Sequence, residues 1–220
     1  ESHLAQYLRI GRTMILTKGF QQSSFSILAM FFSGLSILII YKLIISNVGL
    51  EGLGLLSLAL SLSVIIKILD ITGSSYCARF VAEVTPETGD TVNRKAIIID
   101  TAIWTTVFFY SAVALIGTNL APILLNIFYK GQLAVQLEGL VPFVILLISM
   151  NSVMETQNGS LDGLHKTVTR SIISIVANIL CIVLAVWLIP IFGVLGAVIS
   201  QFLQACFSIL LCRIVLAMNV

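Results

Sequence analysis

Apolar runs of about 20 residues recur along this chain, each long enough as a helix to cross a hydrocarbon core ~30 Å thick. Six can be delimited, at about 25–46, 53–71, 96–116, 133–153, 172–189 and 194–211. A chain that is 58% hydrophobic and 10% charged, with mean hydropathy +1.08, is too apolar for a soluble domain of 220 residues. The expected fold class is an all-α membrane protein, a bundle of six transmembrane helices over residues 21–220. Residues 1–20 are expected to form an amphipathic segment on the membrane surface, with Leu4, Tyr7, Leu8, Gly11 and Ile15 on one helical face and Arg9, Arg12 and Lys18 elsewhere.

No basic start followed by a short apolar run and a small-residue cleavage site is present, so no signal peptide is read. Cys77, Cys181, Cys206 and Cys212 form no CxxC pair, and three of them lie in apolar runs. They read as small packing residues rather than a metal or redox site. The two histidines, His3 and His165, both fall outside the spans, and no nucleophile–base spacing, HExxH, Walker or GxGxxG pattern occurs. The sequence therefore proposes no catalytic residue, no metal site, no cofactor and no nucleic-acid partner.

The basic residues sort by side. Nine (Arg9, Arg12, Lys18, Arg79, Arg94, Lys95, Lys166, Arg170 and Arg213) flank alternate connections and the termini, against Lys42 and Lys130 on the other side. By the positive-inside rule, both termini and the two longer connections face the cytoplasm. The expected location is the cytoplasmic membrane, as a multi-pass protein.

Lys67 and Asp70 fall within a membrane-length segment, where a charge is costly unless it faces water or a partner. With Ser63 and Ser74 they form one stripe on a helix, at spacings of four, three and four. Two readings stay open: Lys67 snorkels to the inner interface and pairs with Asp70, or both line an aqueous cavity. Small and polar residues also repeat on one face of the first span (Gln22, Ser26, Ala29, Ser33, Ser36), the fifth (Ser171, Ser174, Asn178, Cys181, Ala185) and the sixth (Ala197, Ser200, Gln204, Ser208). Such stripes either let helices approach closely or face water. The candidate cavity-lining set is Ser63, Lys67, Asp70, Asp100, Asn178 and Gln204.

Several motifs resemble those of the polysaccharide-export flippases, within the wider MATE-like superfamily. They are Gly49, Leu53-Gly54-Leu55, Leu60-Ser61-Leu62, Leu69-Asp70-Ile71 and Arg79-Phe80-Val81-Ala82-Glu83, followed by Gly89-Asp90. Further on come Leu161-Asp162-Gly163 with Arg170, and the run from Leu188 through Pro190 and Gly193 to Gly196. Leu53 stands where that family has an aromatic residue, and Thr72 where it has a glycine. The resemblance implies one six-helix lobe of a two-lobed transporter, completed by a missing C-terminal lobe or a second copy. It also implies alternating access and a lipid-linked oligosaccharide as cargo, with membrane lipids around it. The start at Glu1 rather than Met agrees with the expectation of a longer chain. The competing functions are a cation-coupled multidrug antiporter of the same fold, disfavoured by the absence of an acidic residue in the first span, and a structural membrane subunit without transport.

Overall fold

A computed structural model describes residues 2–69, 73–84, 91–128 and 132–219, with side chains described at 20–58, 60–61, 74–84, 93–120, 123 and 137–218. Among these residues there are seven helices and no strand: α1 (Ser2–Asn47), α2 (Leu50–Leu69), α3 (Gly73–Glu83), α4 (Thr91–Phe128), α5 (Gln132–Gly163), α6 (Thr167–Phe192) and α7 (Val194–Asn219). Five stretches are long and apolar enough to cross a membrane: Phe20–Asn47, Asn93–Leu120, Leu137–Gly163, Thr167–Phe192 and Val194–Met218. Their exterior is apolar, with Phe31, Leu38, Trp104, Phe108 and Trp187 all exposed, while Ser152, Thr156, Gln157, Ser160 and Asn178 are buried. A soluble monomer does not expose apolar surface on that scale. A multi-pass membrane protein does, because lipid is an apolar solvent and the helical backbone satisfies its own polar groups.

The polypeptide organises around α5. It packs against α2, α3, α4, α6 and α7, and 50% of its span is buried, against 17% for α1 and for α4. α4 and α5 are antiparallel: Thr106 bonds to Thr156 at 3.2 Å, and Gly117 meets Ile145 further along. α1 runs parallel to α6, with Ser26 beside Ser174 at one end and Ser36 reaching the Cys181 thiol further on. Two apolar cores result. The larger holds Ile44, Leu56, Val144, Ile148, Ile189 and Val198, and the smaller holds Cys77, Val81, Ile99, Leu161, Ile173 and Leu216.

The turns depart from the sequence reading in three places. No turn sets the segment expected at 1–20 apart from the first span, because α1 runs unbroken from Ser2 to Asn47. The polar run 155–166, read as a connection, is helical to Gly163, since its small residues are covered by other helices rather than by water. The Pro190–Gly193 turn shrinks to Gly193, with Pro190 inside α6. Gly193 takes φ 60 and donates its N–H to the Ile189 carbonyl at 2.8 Å. Gly196 lies so close to the Leu188 carbonyl that a Cβ there would collide with it. Residues 85–90 and 129–131, in the connections on either side of the third expected span, lie outside the described residues.

The α1–α2 and α6–α7 turns meet at one end of the bundle. Gly49 is left-handed at φ 88, a Cβ on Gly52 would stand 2.5 Å from the Val48 side chain, and a Cβ on Gly193 would touch Val48 at 3.4 Å. At the opposite end, α4 and α6 begin, α5 and α7 finish, and Arg94, Lys95, Lys166, Arg170 and Arg213 gather.

Candidate functional site

A cleft of about 330 Å³ opens at that basic end, between α1, α3, α5 and α6. α1 supplies Ser26, Ala29, Met30 and Ser33; α3 supplies Ser74; α5 supplies Glu155 and Asn158; α6 supplies Arg170, Ser171 and Ser174. Three of the stripe residues on α1 and two of those on α6 are thereby brought face to face. The same stripes change role along their length. Beyond Ser33 and Ser174 the helices close: Ser36 is buried, and Cys181 sits between the hydroxyls of Ser36 and Ser200. Packing and cavity lining, left as alternatives by the sequence, are two ends of one interface.

Arg170 enters the cleft from the first turns of α6 and is ion-paired with Asp162 near the end of α5. The turn between these helices fixes the pair. Lys166 N–H donates to the Leu161 carbonyl at 2.8 Å and His165 N–H to the Asp162 carbonyl at 2.9 Å, with His165 left-handed at φ 57. This double bond pattern closes a helix C-terminus and returns the chain at a set angle. Ser171, the next residue, is fully buried, and its hydroxyl has no hydrogen-bond partner among the described residues. A buried polar atom is ordinarily paired, so a lone one on a cleft wall marks a place where something else can bond.

α3 closes the floor. Its backbone lies against Gly159 and Gly163 of α5: a Cβ on Gly159 would collide with the Ser74 carbonyl, and one on Gly163 would stand 2.6 Å from the Ala78 carbonyl. Two glycines four apart give a smooth groove that lets another backbone approach. Cys77 then reaches the Ser160 hydroxyl at 3.2 Å, and burial pushes its thiol pKa up, partly offset by that bond. Arg79 and Glu83 pair at 2.8 Å on the exposed face of α3, a contact that raises the Arg79 pKa.

The residues expected to line a cavity distribute as follows. Gln204 Nε2 donates to Asn178 Oδ1 at 3.0 Å, and Asn178 Nδ2 donates to the Ser174 carbonyl at 2.8 Å. These amides therefore join α6 to α7 one turn above the cleft. Asp100 accepts from Arg213 at 2.6 Å beside a second, smaller hollow of about 130 Å³ lined also by Ala96, Ile99 and Leu216. The side chains of Ser63 and Lys67, and all of Asp70, lie outside the described residues. Glu155, Asn158 and Arg170 were not singled out by sequence reasoning as cavity residues, because they sat in what read as a connection. The available signal was the repeat of small residues at Ser152, Thr156, Gly159, Ser160 and Gly163, which continues the buried face of α5.

Among the described residues no cluster of His, Cys, Asp and Glu is placed to hold a metal ion. The cleft offers hydroxyl and amide groups of both hydrogen-bonding senses, the Glu155 carboxylate and the Arg170 guanidinium paired with Asp162, next to the apolar Ala29 and Met30. No protein-family model, no curated protein and no solved structure matches the chain.

Proposed function

We propose that this chain is one lobe of a MATE-like flippase, which moves a lipid-linked oligosaccharide across the cytoplasmic membrane by alternating access. The observation that carries the reading is the polar cleft between α1 and α6, set at one end of a bundle whose exterior is apolar. A cargo with a sugar headgroup and a lipid tail needs both environments side by side, and a cleft walled by two helices supplies them.

The six-span count is part of this proposal. α2 starts beside Val194 at one end, through Gly52, while Ser74 of α3 lies in the cleft at the other. A helix of 20 residues reaches ~30 Å at 1.5 Å per residue, enough to carry the chain back across the membrane. With α2 counted, the spans alternate and the basic residues collect on one side, which is the cytoplasmic side by the positive-inside rule. A second lobe, from the same chain or from a second copy, completes a central cavity, with Lys67 and Asp70 of α2 as candidates for its wall.

The test is transport. The full-length protein is reconstituted into vesicles with a fluorescent lipid-pyrophosphate oligosaccharide, and leaflet exchange is read by quenching with an impermeant reductant. Exchange is expected to be at least about tenfold faster than in protein-free vesicles and to slow again when Ala29→Trp fills the cleft. Exchange at the protein-free rate with correctly folded full-length protein sinks the proposal.

A further inference from the structure

We infer that the cleft between α1 and α6 takes an uncharged sugar ring, the polyhydroxyl part of a glycolipid headgroup, and not that headgroup's phosphate. The inference deepens the transport reading and rests on it only for the lipid that carries the sugar.

Charge decides against the phosphate. Among the described lining residues the one cation is Arg170, and Asp162 already neutralises it. A phosphate group would have to displace Asp162 from the guanidinium, leaving a half-buried anion without its partner. An uncharged ring leaves the ion pair intact and uses the guanidinium N–H groups that Asp162 does not occupy.

Hydrogen-bonding chemistry and size favour the sugar. Ser26, Ser33, Ser74, Ser171 and Ser174 each both donate and accept, as does Asn158, which matches a ring whose hydroxyls do the same. The Ser171 hydroxyl is fully buried and, among the described residues, unpartnered, so a sugar hydroxyl would supply the bond it lacks. Ala29 and Met30 provide an apolar patch for the C–H face of the ring. A volume of about 330 Å³ stands at the small end of ligand sites and leaves room for a single ring with its hydration.

The experiment uses the full-length protein in phosphatidylcholine nanodiscs, with a glucosyl-diacylglycerol carrying a photoreactive diazirine on its sugar. After irradiation, adducts are mapped by peptide mass spectrometry. Labelling is expected to concentrate on the peptides bearing Ser26 to Ser33 and Ser171 to Ser174. It should fall about threefold in Ser171→Ala, in line with the loss of one neutral hydrogen bond, and further in Ala29→Trp, with each variant's melting temperature checked. Unlabelled glucosyl-diacylglycerol should displace the probe, while phosphatidic acid at the same mole fraction should not. Displacement by free glucose also supports the sugar assignment and makes a soluble sugar the source. Displacement by phosphatidic acid, or adducts spread over outward-facing residues such as Phe31 and Trp187, would overturn it. A labelled cleft in a protein that flips no glycan overturns the transport reading alone; flipping without cleft labelling overturns this assignment alone.

Discussion

His165 holds a left-handed backbone, φ 57, at the place where a helix terminus of this type usually has glycine. A side chain in that conformation strains against the neighbouring carbonyl. His165→Gly is therefore expected to stabilise the protein by about 0.5–1 kcal/mol, seen as a higher melting temperature in detergent; an unchanged or lower one would refute the strain argument. Cys77 gives a second test. Its thiol is 3% exposed and its pKa is raised by burial, so less thiolate is present at a given pH than in a free cysteine. Alkylation at pH 8 should be much slower for Cys77 in the folded protein than after unfolding in dodecyl sulfate, and should speed up as pH rises. At this scale the sequence was informative where a motif had a backbone reason. The Leu161-Asp162-Gly163 run with Arg170 turns out to contain an ion pair and a helix contact, whereas a Cβ on Gly54 of Leu53-Gly54-Leu55 would meet nothing within 4 Å.

Helices pack here by removing side chains rather than by interlocking large ones. α3 lies on α5 because Gly159 and Gly163 leave the surface bare, and Gly159→Ala is expected to destabilise by about 1–3 kcal/mol as the two backbones are forced apart. Gly34 is the matched control. It lies on α1 with open space where its Cβ would stand, so Gly34→Ala should stabilise by about 0.5–1 kcal/mol through helix propensity. Thermal unfolding of both variants reads the two signs, and the same sign for both would contradict the packing account. Helix order and the turn glycines could be read from hydropathy alone. The extent of α5 could not, because polarity in residues 155–163 signals water in a single-sequence reading but here signals contact with α3, α4 and α6. Half of the cleft was visible as the stripes on α1 and α6; the other half required knowing that α5 continues far enough to face them.

Among the described residues, small polar groups are buried and most large aromatic rings face outward, and one ion pair joins helices far apart in sequence. The Asp100–Arg213 bond ties the start of α4 to the end of α7, with the two side chains 48% and 51% exposed. A pair that open to water contributes little, about 0.5 kcal/mol. A double-mutant cycle with Asp100→Asn and Arg213→Gln should return a coupling of that size that fades in high salt, and a coupling several times larger would mean the pair is shielded in the membrane. The parallel run of α1 and α6 has one further consequence. They are pinned where Val48 meets Gly52 and Gly193, and parted where Ser26 faces Arg170. From Gly49 to Ser26 is about 35 Å along the helix axis, at 1.5 Å per residue. Over that length, a difference of about 5° in the angle set at the turn end corresponds to about 3 Å at the cleft end. Bare glycines against one isopropyl group set that angle, and the width of the cleft follows from it.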